Sequence, residues 1–568
     1  MDKTVGVLGG GQLGRMLVEA ANLLEIHVNF LDAPNSSAKQ VSYHDGHVDG
    51  SFKDAEAIKK LAAQSDVLTV EIEHVDTYML EDVAKTADVQ PSWKTIRTIQ
   101  DKYLQKEHLQ SYGVATAQSV ALKEPSKTEL SAASKTVGLP LMLKSRKEAY
   151  DGRGNFPVKS TDDFEPAIQA LGGNQDLYAE KWANFKVELA VMVVKTKDQV
   201  LSFPTVETIH ENSICKLVYA PARGVSETIN KRAQELARKA VACFWGKGVF
   251  GVEMFLLPDD TLLINEIAPR PHNSGHYTIE ACPVSQYEAH LRAILDLPLD
   301  EQDLELREPA IMLNILGGDT PDSHRQFAAE ALKHRRTKIH LYGKGQARKG
   351  RKMGHITVCA PTMSEAEELI QPMIDYADRG KPQSTSTLSS RSKEQALVAV
   401  VMGSDSDLPV LQPGLAILKK FDISFTTRIT SAHRTPSWMA EFASTAASNG
   451  IKVIIAAAGG AAHLPGMTAA YTSLPVIGIP VKPTIGDGMD SLLSICNMPK
   501  GVPVATVSVN NSINAALLAA RILGVSDMGI RKRVEQYVHD SEAEVREKDR
   551  RLLDMGADAY VEKYLSKK

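Results

Sequence analysis

Cysteine is scarce in this chain of 568 residues. There are five, and Cys215, Cys243, Cys282, Cys359 and Cys496 stand far apart, with no CxxC pair among them. Such spacing excludes a disulfide framework or a cysteine-built zinc site as an organising principle and fits a reducing compartment. Net charge is nearly absent as well. With 65 basic against 69 acidic side chains the formal balance is −4, which argues against a general nucleic-acid binder while leaving room for local basic pockets. No apolar run approaches the roughly 20 residues of a membrane span. No signal-peptide pattern precedes the first strand-like run, Val5–Leu8, and no internal repeat is found. The expectation is a cytoplasmic protein with neither membrane nor nucleic-acid partners.

What is present is an ordinary globular composition, 43% hydrophobic and 24% charged, in a chain long enough for about three to five domains. The first hundred residues alternate β-branched runs (Thr4–Leu8, Ile26–Leu31, Val67–Ile72) with a helical pattern over Gln12–Leu24, as a parallel α/β unit does. From about Asp101 to Asp300 strands such as Leu141–Lys144 and Glu188–Val194 mix with helices. A smaller segment reaches Met373 and carries a basic loop, Lys344–Lys352. Then GKPQSTSTLSSRSK, residues 380–393, is polar and aperiodic and reads as a linker. Beyond it Ala396–Val401, Val453–Ala458 and Val476–Ile479 are continuous apolar runs of the kind that fill a central parallel sheet. The closing stretch from Ile530 is charged and helical in period, suited to a solvated or subunit-packing helix.

The densest chemistry lies in NEIAPRPHNSGH, Asn265–His276. A strand that ends in Glu266 and opens into Arg270, His272, Asn273 and His276 places a carboxylate beside an anion pocket. Upstream, Phe250–Leu256 offers a neighbouring strand with one acid, Glu253. Two carboxylates on adjacent strands are suited to Mg²⁺, which takes oxygen ligands and keeps the phosphates of its nucleotide. Tyr150-Asp-Gly-Arg-Gly-Asn155 follows Lys144 closely. A glycine loop over phosphates with a lysine on the preceding strand is a phosphoryl-transfer design, though alone it reads equally as a hairpin turn. Glu180–Ala183 and Glu188 are suited to adenine and ribose contacts, though each taken singly reads rather as a surface charge. In the basic loop Lys344, Arg348, Arg351 and Lys352 are spaced to gather phosphate oxygens.

Gly9-Gly-Gly-Gln-Leu-Gly14 satisfies G-x-G-x-x-G between a strand and a helix, with Asp32 ending the next strand. No redox constellation follows it, so a sugar phosphate or a purely structural turn stands ahead of NAD. In the last segment three loops follow strands: Gly403–Asp407, Ser431–Pro436 and Ala458–Gly466. An open α/β sheet binds ligands at such strand ends, and His433 among them is a general acid/base candidate.

Together these motifs resemble the fungal-type bifunctional phosphoribosylaminoimidazole carboxylases over nearly the whole chain. Residues up to about Met373 are similar to ATP-grasp N5-carboxyaminoimidazole ribonucleotide synthetases through GGGQLGRM, YDGRGN, EKW, NEIAPRPHNSGH and GRKMGH. Residues from about Ala396 are similar to the small octameric carboxylase/mutase through MGSDSD, SAHRTP and AGGAAHLPG. The resemblance implies an α/β chain with a Rossmann-like pre-ATP-grasp domain at 1–100, an ATP-grasp domain at 101–300 and a small C-terminal domain of that unit at 301–379. A linker at 380–395 then leads to a flavodoxin-like, three-layer parallel-sheet domain at 396–568. It also implies ATP, Mg²⁺, bicarbonate or CO₂, and 5-aminoimidazole ribonucleotide as ligands, and a homo-oligomer, an octamer, built through the last domain.

Roles follow residue by residue from the same resemblance. Lys102, Lys144, Glu148, Tyr150, Asp151, Gly152, Gly154, Glu180, Lys181, Trp182, Ala183, Glu188, His210, Asn265 and Glu266 contact ATP, and Glu253 and Glu266 hold Mg²⁺. Arg270, His272 and Asn273 bind bicarbonate. Asp151, Arg153, Lys344 and Arg351 hold the ribonucleotide. In the last domain Ser404, Asp407, Ser431, Arg434, Gly459 and His463 bind it, while His433 moves the proton. Lys102 departs from the arginine of some bacterial relatives, a point charge in place of a fork. His276 is left without a role. A different ATP-grasp carboxylate–amine ligase, or a dinucleotide sensor without turnover, remains an alternative.

Overall fold

A computed structural model describes residues 2–147, 154–173, 176–211, 213–379, 396–447, 449–483, 486–525 and 527–565. The chain divides into two compact units, Met1–Pro382 and Gln383–Lys568. The polar stretch 380–393 lies outside the described residues.

The first unit opens with a five-stranded parallel sheet in the order Val48–Asp49, Val28–Asp32, Val5–Leu8, Val67–Val70, Asp88–Val89. Its apolar runs are explained by burial on both faces. Val5, Val7, Val28 and Phe30 feed one core with the helix Gln12–Leu23, and Leu8, Leu31, Leu68 and Val70 feed another. The second strand starts at Val28, two residues after the apolar run begins. Glu25 adopts a positive φ of 55° as the chain leaves the helix, so the extended geometry begins only beyond it.

Two further sheets follow. A four-stranded sheet runs Ser119–Ala121, Leu177–Lys181, Leu141–Ser145, Asn155–Val158. A nine-stranded sheet runs from Leu262–Ala268 through Gly248–Leu256, Val187–Lys195, Val206–Glu211, Ile214–Ala220, Ala310–Leu316 and Lys352–Cys359 to Thr337–Leu341, with Val200–Ser202 paired to Val187–Lys195. Ala310–Leu316 pairs antiparallel with Ile214–Ala220. Strands beyond residue 300 therefore continue the sheet that carries Glu253 and Glu266. The helix Met363–Ala377 then covers this sheet and reaches past Met373.

The second unit is a five-stranded parallel sheet ordered Phe425–Ile429, Val398–Met402, Val453–Gly459, Val476–Val481, Ala505–Thr506. That is a 2-1-3-4-5 order, the flavodoxin-like arrangement with a switch point between its first and third strands. Side chains alternate between two cores. Val398, Val400 and Met402 meet the helices Leu408–Lys420 and Ser512–Leu523, while Ala399 and Val401 meet Met439, Leu464 and Ile495 on the other face. Helices on both faces make three layers. Pro409 sits in the first turn of its helix, where its missing N–H costs nothing. Met528–Met555 is one helix of 28 residues, laced by i,i+4 pairs such as Arg546–Glu542 and Arg551–Glu547. Among the described residues no helix is long and apolar enough to cross a membrane.

Candidate active sites

In the first unit Gly248–Leu256 and Leu262–Ala268 pair antiparallel with Glu253 directly opposite Glu266. The register shifts at Glu253/Met254, so Asn265 is the extra residue of a bulge, a device that re-aims side chains at a sheet edge. Lys102, in the first turn of the helix Lys102–Ser111, reaches Glu266 Oε2 at 2.7 Å. Burial would raise the Glu266 carboxyl, but the Lys102 ammonium outweighs it and holds the group below the usual carboxylate range. Glu253 Oε1 lies 3.8 Å from His272 Nδ1. The approach is close because Gly251 has no side chain: a Cβ there would stand 2.4 Å from that of His272. Burial keeps the His272 ring below the ordinary imidazole value, hence neutral.

Arg270 is held by Glu73, which the motif reading overlooked. Its Nε donates to Glu73 Oε2 at 2.6 Å and its Nη2 to Oε1 at 3.1 Å. Burial pushes Glu73 up, yet the guanidinium brings it down to about 2. Asn273 exchanges amide hydrogen bonds with Asn314, at 3.0 and 2.7 Å, which ties the loop to the strand Ala310–Leu316.

A second cluster involves the expected nucleotide contacts. Glu180 is 3% exposed and its carboxylate lies between Lys144 and Lys106, each at 2.8 Å. Lys106 sits within a helix yet is itself 2% exposed, and no sequence signal marked it. Burial acts to raise Glu180, and the two ammonium groups overcome it and set it at about 2. Lys181 and Trp182 are exposed and Ala183 half-buried. Glu188 Oε2 lies 2.6 Å from His210 Nδ1. Burial lowers His210, but Glu188 more than compensates, so this imidazole titrates above its ordinary value.

Lys344 donates to the Lys352 carbonyl at 2.9 Å, and Arg351 is exposed beside it. Gly154 has φ 78° and accepts from Ser145 N at 2.7 Å, closing the glycine loop at its far end. Glu148, Tyr150, Asp151, Gly152 and Arg153 lie outside the described residues.

The Gly9–Gly14 loop has its own carboxyl acceptors. Gly10 N donates to Asp32 Oδ2 at 2.6 Å, Leu13 N to Glu71 Oε1 at 3.0 Å, and Gly11 N to the other Glu71 oxygen. Carboxylates of this chain satisfy the amides that the pattern offered to a phosphate, and Asp32 is committed to the loop. His276 is buried, its Nδ1 bonded by Tyr287 Oη at 3.0 Å and Gln286 Nε2 at 3.2 Å.

In the second unit three loops leave the C-terminal ends of neighbouring strands. His433 Nε2 and His463 Nδ1 share a hydrogen bond of 2.8 Å, with both rings exposed. Arg434 donates to the Gly403 carbonyl and, at 3.3 Å, to Ser431 Oγ. Ser404 caps the turn that leads to Asp407, whose carboxyl burial pushes up. Gly459 packs tightly on Val481, where a Cβ would come within 3.0 Å of its carbonyl oxygen. Ser491, another residue absent from the motifs, accepts from Gly460 N at 2.8 Å and donates to the Val481 carbonyl at 2.9 Å, fixing this loop.

With these sites in place, comparison with known proteins is decisive. The Candida albicans phosphoribosylaminoimidazole carboxylase is 52% identical over 100% of both chains, and the Saccharomyces cerevisiae protein of the same name is 50% identical over 99% of each. This chain belongs to that carboxylase family. Family models match in series: a ribonucleotide synthetase preATP-grasp domain at 1–100, an ATP-grasp domain at 107–287, a phosphoribosylaminoimidazole carboxylase C-terminal domain at 310–369 and an AIR carboxylase at 397–544. Among solved structures, the Aspergillus clavatus carboxyaminoimidazole ribonucleotide synthase complexed with ATP is 65% identical with a TM-score of 0.65, covering 66% of this chain and 98% of that one. The N5-carboxyaminoimidazole synthase of the same organism, in complex with ADP and 5-aminoimidazole ribonucleotide, is 64% identical with the same score and covers 66% of this chain and 99% of that one. Phosphoribosylaminoimidazole carboxylase is thus the activity of the family, with an ATP-grasp ligase and an AIR carboxylase in one polypeptide.

Proposed function

We propose that the first unit carboxylates the exocyclic amine of 5-aminoimidazole ribonucleotide at the expense of ATP, and that the second moves the carboxyl to ring carbon 4 for purine synthesis. The observation that carries the first half is the convergence of Glu253, Glu266, Lys102, His272 and the Glu73-clamped Arg270 at one pair of strands.

Bicarbonate is a poor electrophile. Phosphoryl transfer from ATP converts it to carboxyphosphate, whose carbonyl the amine attacks with release of phosphate. Lys144 and Lys102 place positive charge where phosphates gather, and Arg270 with Asn273 offers donors to bicarbonate. A preoriented donor is worth most where water is excluded, and the pair with Glu73 keeps Arg270 from swinging. Lys344, Arg351, Asp151 and Arg153 are assigned to the ribonucleotide, and Glu180–Ala183, Glu188 and His210 to ATP. The opposed carboxylates of Glu253 and Glu266 are an all-oxygen donor pair and fit Mg²⁺, with Asn265 beside them. When bound, the ion neutralises charge on the triphosphate.

In the second unit the carbamate loses CO₂, carbon 4 of the ring takes it up, and His433 carries the ring proton. Ser404, Asp407, Ser431, Arg434 and Gly459 hold the nucleotide, and His463 orients His433. Segments 1–100, 101–300, 301–379 and 396–568 serve as the working domains around a linker at 380–395. A cytoplasmic homo-octamer assembled through the last domain completes the proposal.

Isotopically labelled bicarbonate tests it. With ATP, the label is expected on the amine first and on carbon 4 afterwards, read by NMR. Label reaching carbon 4 equally fast without ATP at low bicarbonate would overturn the division of labour.

A further inference from the structure

One partly buried cluster takes no part in this chemistry. His340 on Thr337–Leu341 and His355 on Lys352–Cys359 are register partners in an antiparallel pair, which puts both imidazoles on one face of the sheet. Their rings stack with centroids 4.6 Å apart and planes inclined by 14°. Glu280, on the short helix Thr278–Ala281, brings Oε1 to 2.7 Å from His340 Nε2. One donor atom from each of the three residues lies within 4.8 Å of the other two.

The remaining bonds leave donors available. Tyr342 Oη occupies His355 Nδ1 at 2.9 Å, while His355 Nε2, in a ring with no solvent exposure, has no hydrogen-bond partner. Glu280 Oε2 is buried and unpartnered too. A third such atom, His276 Nε2, belongs to a ring whose centroid is 4.7 Å from that of His355. The surroundings also suit a metal. Glu19 Oε2 stands 3.8 Å from His340 Nδ1 and Tyr342 backs His355, which are the outer contacts that fix imidazole ligands.

We propose that Glu280, His340 and His355 form a site for a zinc-class divalent cation, with His276 or a water in the fourth position. Two imidazoles and one carboxylate select a transition metal, whereas the all-oxygen pair of Glu253 and Glu266 suits magnesium. Binding displaces the proton that His340 shares with Glu280, and it ties the first-domain helix Gln12–Leu23, through Glu19, to the far edge of the nine-stranded sheet.

The test uses the full-length chain stripped of metal and titrated with Co²⁺ in excess Mg²⁺ without nucleotide. One equivalent is expected to give visible d–d absorption that Zn²⁺ displaces. Zn²⁺ should also raise the melting temperature. His340→Asn and Glu280→Gln are each expected to weaken this equivalent at least about tenfold and to abolish the Zn²⁺-dependent rise in melting temperature. Both variants should retain ribonucleotide-dependent ATP turnover, which shows that they fold. His463→Asn, which removes the exposed histidine pair of the second unit, should leave the first equivalent intact. Absence of a specific equivalent, or an unchanged affinity in folded His340→Asn, overturns the proposal.

Discussion

Arg270 and Glu73 form a two-pronged ion pair across 197 residues of sequence, with Nε–Oε2 at 2.6 Å and Nη2–Oε1 at 3.1 Å. Both side chains are more than four-fifths buried. The pair therefore fixes the guanidinium by geometry as well as by charge. Glu73→Gln keeps the size but weakens the clamp, and a misplacement of about 1 Å costs about 10²-fold in rate. The expected result is a loss of that order in bicarbonate-dependent ADP release, with the KM for ATP nearly unchanged. Equal loss of ATP affinity would show that Glu73 merely supports the fold.

Acid sensitivity follows from two carboxylates. Glu73 and Glu180 titrate near 2 in the folded chain against ordinary values of 4.5. Below about pH 4.5 the unfolded chain takes up these protons first, so the stability they contribute is complete above that value and is lost as pH falls toward 2. Scanning calorimetry between pH 5 and pH 3 should show the melting temperature of the first unit falling. Glu180→Gln leaves Lys106 and Lys144 without their shared partner. It should lower the melting temperature at pH 7, where breaking a buried pair costs about 3 kcal/mol or more, and flatten the decline on the acid side. A decline of undiminished steepness in the variant would sink this account.

These two pairs mark where sequence reading stops. Parallel strands such as Val398–Met402 are legible because burial on both faces makes every residue apolar. Glu253 and Glu266 are legible because an acid within an apolar strand breaks its pattern, and His433 because its imidazole stands in a loop just beyond a strand. Glu73 and Lys106 carry no such mark. A charged residue after a strand or within a helix looks solvated until a partner far along the chain neutralises it. The Gly9–Gly14 loop shows the converse. Its pattern offers backbone amides to an anion, and the acceptor is instead the buried Glu71 carboxyl, more than fifty residues away. His276 also becomes intelligible only from its buried bonds to Gln286 and Tyr287.

The opposed acids make a separate prediction. Glu253→Gln and Glu266→Gln each remove one negative oxygen from the proposed Mg²⁺ pair, and Glu266→Gln also releases Lys102. ATP turnover should fall about 10²-fold or more in each, and bound Mn²⁺ counted by electron paramagnetic resonance with ADP present should fall in parallel. Full Mn²⁺ occupancy in both variants would reassign the acids to positioning Lys102 and His272.

The hydrogen bond of 2.8 Å between His433 Nε2 and His463 Nδ1 joins two loops of the second unit, and the proposed chemistry gives the two rings different tasks. One nitrogen of His433 is engaged by a partner on the next loop, and in the proposed chemistry the other, Nδ1, is the one left to meet the substrate. His433→Asn removes the proposed proton carrier and should abolish product carboxylated at carbon 4, while ribonucleotide-dependent ATP hydrolysis in the first unit continues at the wild-type rate. Loss of ATP turnover as well would show that the units do not act separately. His463→Asn removes only the partner. General acid–base catalysis is worth about 10²–10⁴-fold, so a free but misoriented His433 should retain part of that factor, and kcat for the second step should fall well short of the His433→Asn loss. A split between kcat and KM separates positioning from substrate contact. An orienting His463 sets kcat, so His463→Asn should lower kcat and leave the KM for the carbamate nearly unchanged. A raised KM with kcat retained would make His463 a nucleotide contact and leave His433 to be oriented by the Ser431–Thr435 loop alone.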